Sequence, residues 1–129
     1  MWWLVVFVLV FFIGAAICFV KAFTYDEQPE LLLRHSGKRR ARISGSGFHS
    51  IGRARKAKVA LPEDTYVSEE HARIWFDGND FWLADAGSRN GTYLNGMLVE
   101  SPRDLSESDR ITVGETTLVV EEIRNPSQE

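Results

Sequence analysis

Trp2 to Val20 form a run of nineteen residues without a charged or strongly polar side chain, and that run constrains everything the chain can fold into. As a helix it would be roughly 29 Å long at 1.5 Å per residue, close to the ~30 Å hydrocarbon thickness of a bilayer. A helix apolar on every side needs lipid or a large protein interior around it. With 129 residues in all, the remaining chain makes one ordinary domain and no such interior. The run is therefore expected to be a single transmembrane helix over residues 1–21, in contact with the bilayer through residues 2–20. A cleaved signal peptide would need a basic stretch before the run and a small-x-small site after it. Trp2 and Trp3 instead suit the headgroup interface, and the run closes on Cys18-Phe19-Val20. Cys18 is the one cysteine, so no intramolecular disulfide can form. With bulky Ile17 before it, Cys18 reads as an apolar residue of the helix rather than a lipoprotein cysteine.

Charge is distributed unevenly after this segment. Lys21 to Lys58 hold ten Lys/Arg against three Asp/Glu, and Val59 to Glu129 hold five against fifteen. Lys21, Arg34, Lys38, Arg39, Arg40 and Arg42 follow the apolar run and nothing basic precedes it except the terminal amine. The positive-inside rule then puts the soluble part on the cytoplasmic side, with the basic stretch either leaning on anionic lipid or simply solvated. Nucleic-acid binding is disfavoured, because that stretch lacks interleaved stacking aromatics and the rest of the domain is acidic.

Residues 22–30, with Asp26, Glu27 and Pro29, lack apolar periodicity and read as a linker. From Leu31 onward short strand-like runs recur: 31–34, 48–51, 58–61, 72–76, 81–84, 92–94, 97–99, 110–113 and 117–123. Short strands at regular spacing, with no helical periodicity between them, predict an all-β antiparallel sandwich over residues 31–124. Asp77-Gly78-Asn79-Asp80 separates two aromatic-rich runs. Asn95-Gly96 between apolar pairs is a strong hairpin signal, since both positions tolerate positive φ. Residues 125–129 read as a disordered tail.

Three blocks stand out in order: Ser50-Ile51-Gly52-Arg53, then Val67-Ser68-Glu69-Glu70-His71-Ala72-Arg73-Ile74, then Trp82-Leu83-Ala84-Asp85-Ala86-Gly87-Ser88-Arg89-Asn90-Gly91-Thr92-Tyr93-Leu94-Asn95-Gly96. Together they resemble the forkhead-associated (FHA) domain family, and the resemblance covers about Leu31 to Ile123. It implies an FHA-type β-sandwich whose loops at one end bind a phosphothreonine peptide, with no cofactor and no metal. In this resemblance Arg53 reaches the peptide and phosphate, Ser68 bonds the phosphate, Arg89 closes over it and Asn90 bonds the peptide backbone. Gly52, His71 and Gly91 support the loops. The residue types suit that chemistry: a phosphothreonine carries about −1.5 to −2 charge and three strong acceptor oxygens, which call for a cation together with hydroxyl and amide donors.

The implied function is a membrane-tethered phosphothreonine-binding adaptor in Ser/Thr kinase signalling, of the single-pass bacterial type found in cell-envelope and division systems. Its partners would be a phosphothreonine protein at the same membrane and an upstream Ser/Thr protein kinase. Glu69 and Glu70 depart from the family pattern by placing carboxylates near the phosphate, and they leave open a phosphate-independent scaffold that binds through an exposed sheet. A catalytic reading would pair Ser68 with His71, but no Gly-x-Ser-x-Gly elbow or oxyanion loop accompanies them. His35, His49 and His71 have no metal-ligand spacing.

Overall fold

Alternating apolar and polar residues in short runs can bury only one face each, so the chain must stack sheet on sheet. The computed structural model describes residues 27–126 apart from Ser36 and Lys38. Eleven strands follow one another among them: β1 (Glu30–Arg34), β2 (Arg40–Ser44), β3 (His49–Gly52), β4 (Val59–Ala60), β5 (Ala72–Phe76), β6 (Phe81–Asp85), β7 (Thr92–Leu94), β8 (Met97–Leu98), β9 (Arg103–Asp104), β10 (Arg110–Val113) and β11 (Thr116–Arg124). They form a six-stranded sheet in the order β2-β1-β11-β10-β7-β8 and a five-stranded sheet in the order β4-β3-β5-β6-β9. The transmembrane reading of residues 1–21, and most of the 22–30 linker, lie outside the described residues. Among those described, no helix is long and apolar enough to cross a membrane.

The core lies between the sheets. Leu31, Leu33, Ile43, Ile111, Leu118 and Val120 come from one, and Ile51, Ile74, Phe81 and Leu83 from the other, all essentially inaccessible to water. Each such side chain contributes about 1.5–3 kcal/mol by burial. The hairpin expected at Asn95-Gly96 forms, with φ of 51° and 82°, so both residues take the left-handed conformation that matches the twist of β7 and β8. Asn95 also accepts from the Arg110 N–H and donates to Asp109, each at 2.9 Å.

Three features differ from the sequence reading. β2 lies in what was read as a basic stretch: Arg40 and Arg42 point outward while Ile43 is fully buried, so a period-2 pattern is hidden under the charge. The arginines belong to a sheet face, where Arg34 and Arg40 pair with Glu121 and Arg42 pairs with Glu30. Exposed pairs of this kind add little stability, but they neutralise charge that would otherwise be available to lipid. β9, only two residues long, carries no periodic signal at all. The strand pairing is also not wholly antiparallel, since β3 and β4 run parallel with Ile51 opposite Val59.

The two ends of the sandwich are distinct. β1 starts at Glu30 opposite Arg124 of β11, the Gly45 N–H reaches the Pro29 carbonyl, and the Asn125 amide donates to the Asn79 carbonyl. Both ends of the domain and the Asp77–Asp80 turn therefore share one end. The loops 53–58, 61–70 and 86–91 gather at the other.

Candidate functional site

Gly52 begins the site by letting two backbones touch. A Cβ placed on it would sit 2.0 Å from the Glu69 carbonyl oxygen. In that contact the Arg53 N–H donates to the Ser68 carbonyl at 2.9 Å and the Ala54 N–H to the Glu69 carbonyl at 3.3 Å. The Arg53 side chain, exposed to solvent, bends so that Nε donates to the Val67 carbonyl at 3.2 Å. That bond fixes the guanidinium beside Ser68 and leaves its outer N–H groups facing solvent.

A second loop is stitched onto the first. The Arg89 N–H donates to Ser68 Oγ at 3.0 Å and the Asn90 amide donates to the Tyr66 carbonyl at 2.9 Å. Ser68 Oγ–H remains able to donate outward. Arg53, Ser68, Arg89 and Asn90, far apart in sequence, thus lie around one exposed patch, with the side chain of Arg89 in solvent.

His71 braces both loops from inside. It is fully buried. Its Nδ1 accepts the Ser68 N–H at 3.0 Å, so Nε2 must carry the proton, and it donates to the Gly91 carbonyl at 2.8 Å. Neither ring nitrogen faces Ser68 Oγ as a base, and the geometry a nucleophilic serine requires is absent from this pair. Gly91 itself has φ +85°, and a Cβ there would meet Leu98 Cδ1 at 2.8 Å, so glycine serves both conformation and space.

The sequence reading passed over the residue that organises the 86–91 loop. Asp85 Oδ2 accepts the Gly87 and Ser88 N–H groups, and Oδ1 accepts the Ser88 and Thr92 hydroxyls at 2.5 and 2.7 Å. Ser88 Oγ in turn accepts the Gly91 N–H at 2.9 Å. An aspartate two residues before Gly87 is the available signal, because Asx side chains cap the turn that follows them. Asp64 does the same work for the 61–70 loop, accepting from Tyr66, Glu115 and Thr116.

Partial burial works to raise the pKa of Asp85, but the hydrogen bonds from Ser88, Thr92 and Gly87 outweigh it and hold the carboxyl below the usual carboxylate range. A group whose folded pKa is depressed stabilises the fold above its unfolded pKa and loses that contribution as pH falls through the folded value. Asp85→Asn is therefore expected to lower stability at neutral pH and to flatten the stability curve in the acid range below the ordinary aspartate pKa, as followed by denaturant titrations across pH.

Of the two carboxylates expected near the phosphate, Glu70 turns away to pair with Arg73 at 3.3 Å. Glu69 is exposed and contributes its backbone to the Gly52 contact. Among the described residues no group of His, Cys, Asp and Glu is placed to hold a metal ion.

A two-sheet sandwich that gathers these loops at one end is the FHA arrangement, and the FHA domain family profile matches residues 49–114. The chain belongs to the FHA domain family. Over 74 residues it is 39% identical to the FHA domain-containing protein FhaA of Mycobacterium tuberculosis, a match covering 57% of this chain and 14% of that protein. The chain spans less than half the length of the curated relatives it matches. A solved FHA structure from work on phosphothreonine-dependent FHA domain interactions is 34% identical with a TM-score of 0.64, covering 74% of this chain and 96% of its own. The FhaA FHA domain, solved in complex with the intracellular domain of Rv3910, is 33% identical with a TM-score of 0.62, covering 74% of this chain and 99% of its own.

Proposed function

We propose that this chain is a membrane-tethered, non-enzymatic adaptor whose FHA domain captures phosphothreonine on a partner protein after a Ser/Thr kinase has acted. The observation that carries the reading is the convergence of the Arg53 guanidinium, the Ser68 hydroxyl and the Arg89 N–H on one exposed patch. Arg53 and Arg89 supply charge to the phosphate, Ser68 supplies a hydroxyl donor, and Asn90 holds the peptide backbone. The phosphothreonine-dependent binding studied in a relative of similar sequence supports it. Residues 2–20 supply the tether, with the domain on the cytoplasmic side. Confinement to one surface raises the effective concentration of reader and partner, which suits a role in envelope or division control, where partner and kinase share that membrane.

The test is calorimetric titration of the full-length chain in detergent micelles with phosphothreonine peptides and their unphosphorylated counterparts. Binding should require the phosphate, and Ser68→Ala should weaken it about ten-fold, the value of one charge-assisted hydrogen bond. The same chain expressed in cells should sediment with membranes, and deletion of residues 2–20 should release it. Peptide affinity that ignores the phosphate sinks the reading.

A second reading, a phosphate-independent scaffold, draws on the outer face of the five-stranded sheet. There Phe48, 70% exposed, packs on Trp75 with ring centroids 5.3 Å apart. Under that reading partner binding survives Ser68→Ala and is lost with Phe48→Ser.

A further inference from the structure

Five arginines of the two sheets, though not Arg103 and Arg110, are held in ion pairs. On the six-stranded sheet Arg34 and Arg40 are neutralised by Glu121, Arg42 by Glu30 and Arg124 by Glu122. On the five-stranded sheet Arg73 is neutralised by Glu70. Arg53, Arg55, Lys56 and Lys58 follow within six residues, all exposed, and none holds an ion pair among the described residues. All four lie on the loop between β3 and the edge strand β4, which is joined to the Ser68 segment by the bonds from the Arg53 and Ala54 N–H groups to the Ser68 and Glu69 carbonyls. The strip of positive charge therefore adjoins the site.

Glu63 and Glu69, on the 61–70 loop, are also exposed, and Glu69 adjoins the basic loop through the bond from the Ala54 N–H to its carbonyl at 3.3 Å. A peptide segment with negative charge over Arg55, Lys56 and Lys58 meets charge of opposite sign there. Complementary potentials of this kind set partner choice and orientation, and like charges brought together oppose the wrong partner.

We infer that the partner segment carries additional negative charge on one flank of its phosphothreonine, the flank lying over Arg55, Lys56 and Lys58, as either an acidic run or a second phosphate. The inference rests on the phosphothreonine reading above and adds the chemistry of the flanks. A lipid headgroup is the less fitting source of that negative charge. The strip lies at the end of the sandwich remote from Pro29 and Glu30 and adjoins the candidate phosphate site instead.

The experiment uses the full-length chain in nanodiscs of neutral lipid. Phosphothreonine peptides with neutral flanks, with a glutamate run before or after the phosphothreonine, and with a second phosphate on either side are titrated at low and physiological salt. The same set is run on the triple variant Arg55→Gln, Lys56→Gln, Lys58→Gln. Acidic charge on one flank only should tighten binding about ten-fold, the combined effect of several exposed charge pairs, and a second phosphate there at least as much. The gain should shrink with salt and vanish in the triple variant, whose affinity for the neutral-flank peptide stays unchanged. Equal affinity for all flanks, or a gain that survives in the triple variant, overturns the inference. So does flank-independent peptide binding combined with capture of free anionic vesicles that the triple variant loses, which would assign the strip to a lipid surface. Absence of phosphate-dependent binding even for the neutral-flank peptide is a separate result, and it removes the reader function itself.

Discussion

Replacement of Arg53 by alanine should lower affinity for a phosphothreonine peptide about 100-fold, or about 2.7 kcal/mol, while leaving the domain folded. The magnitude is that of a cation's hydrogen bonds to an ionised phosphate. The fold is spared because the contribution of Arg53 to the β3 contact is made by its backbone: the N–H to the Ser68 carbonyl survives any side chain. Only the Nε bond to the Val67 carbonyl is lost, on an exposed residue, a change worth a fraction of a kcal/mol. Lysine should not restore the affinity. The Nε bond to Val67 is what aims the guanidinium, and a lysine ammonium has no second nitrogen to leave free once it is held in that way. Calorimetry on Arg53→Ala and Arg53→Lys beside thermal denaturation of both checks the claim. An alanine variant that binds within a few-fold of the parent would show that the phosphate is held elsewhere.

The parts of this molecule that were legible in its sequence are those set by local chemistry. Asn95-Gly96 marks its own turn because few other residues tolerate positive φ at both positions, and strands such as 81–85 declare themselves by alternation. Gly52, Arg53, Ser68, His71 and the 87–91 block can be assembled into a site because a family pattern links positions that no local rule connects. What escaped depends on long-range partners. β2 looks like a basic tether until β1 and Glu121 are placed beside it, and then its two outward arginines and inward Ile43 make a strand. β9 exists only because β6 offers an edge, with Trp82 opposite Asp104. Asp85 reads as one acidic residue in an acidic half until Ser88 and Thr92 fold back to donate to it. His71 was read as a structural support, and its two partners, the Ser68 N–H and the Gly91 carbonyl, come into view only with the fold.

The same long-range logic makes Gly52 the least replaceable residue of the site. Gly52→Ala should destabilise the domain by about 3 kcal/mol or more and reduce phosphopeptide binding in whatever fraction stays folded. The constraint is not conformational, for Gly52 is not among the positive-φ residues. It is spatial: the added methyl would lie 2.0 Å from the Glu69 oxygen, 2.8 Å from the Glu69 carbonyl carbon and 3.2 Å from the Ser68 oxygen. All three are backbone atoms, so no rotamer change relieves the overlap and the 67–70 segment must move away from β3 as a unit. That movement breaks the bonds from Arg53 and Ala54 to the Ser68 and Glu69 carbonyls and strains the seat of His71, whose own N–H donates to the Ile51 carbonyl. Overpacking with loss of buried hydrogen bonds gives a penalty of this order. Binding falls as well, because separating the two backbones separates the Arg53 guanidinium from the Ser68 hydroxyl. Gly78→Ala is the matched control. Its φ of +101° makes a side chain unfavourable, but no atom lies within 4 Å of the added carbon, so it should lower stability by only about 1 kcal/mol and leave binding intact at the far end of the sandwich. Chemical denaturation of the two variants side by side separates the effects: a Gly52→Ala penalty no larger than that of Gly78→Ala would mean that the two backbones do not meet as closely as the site requires.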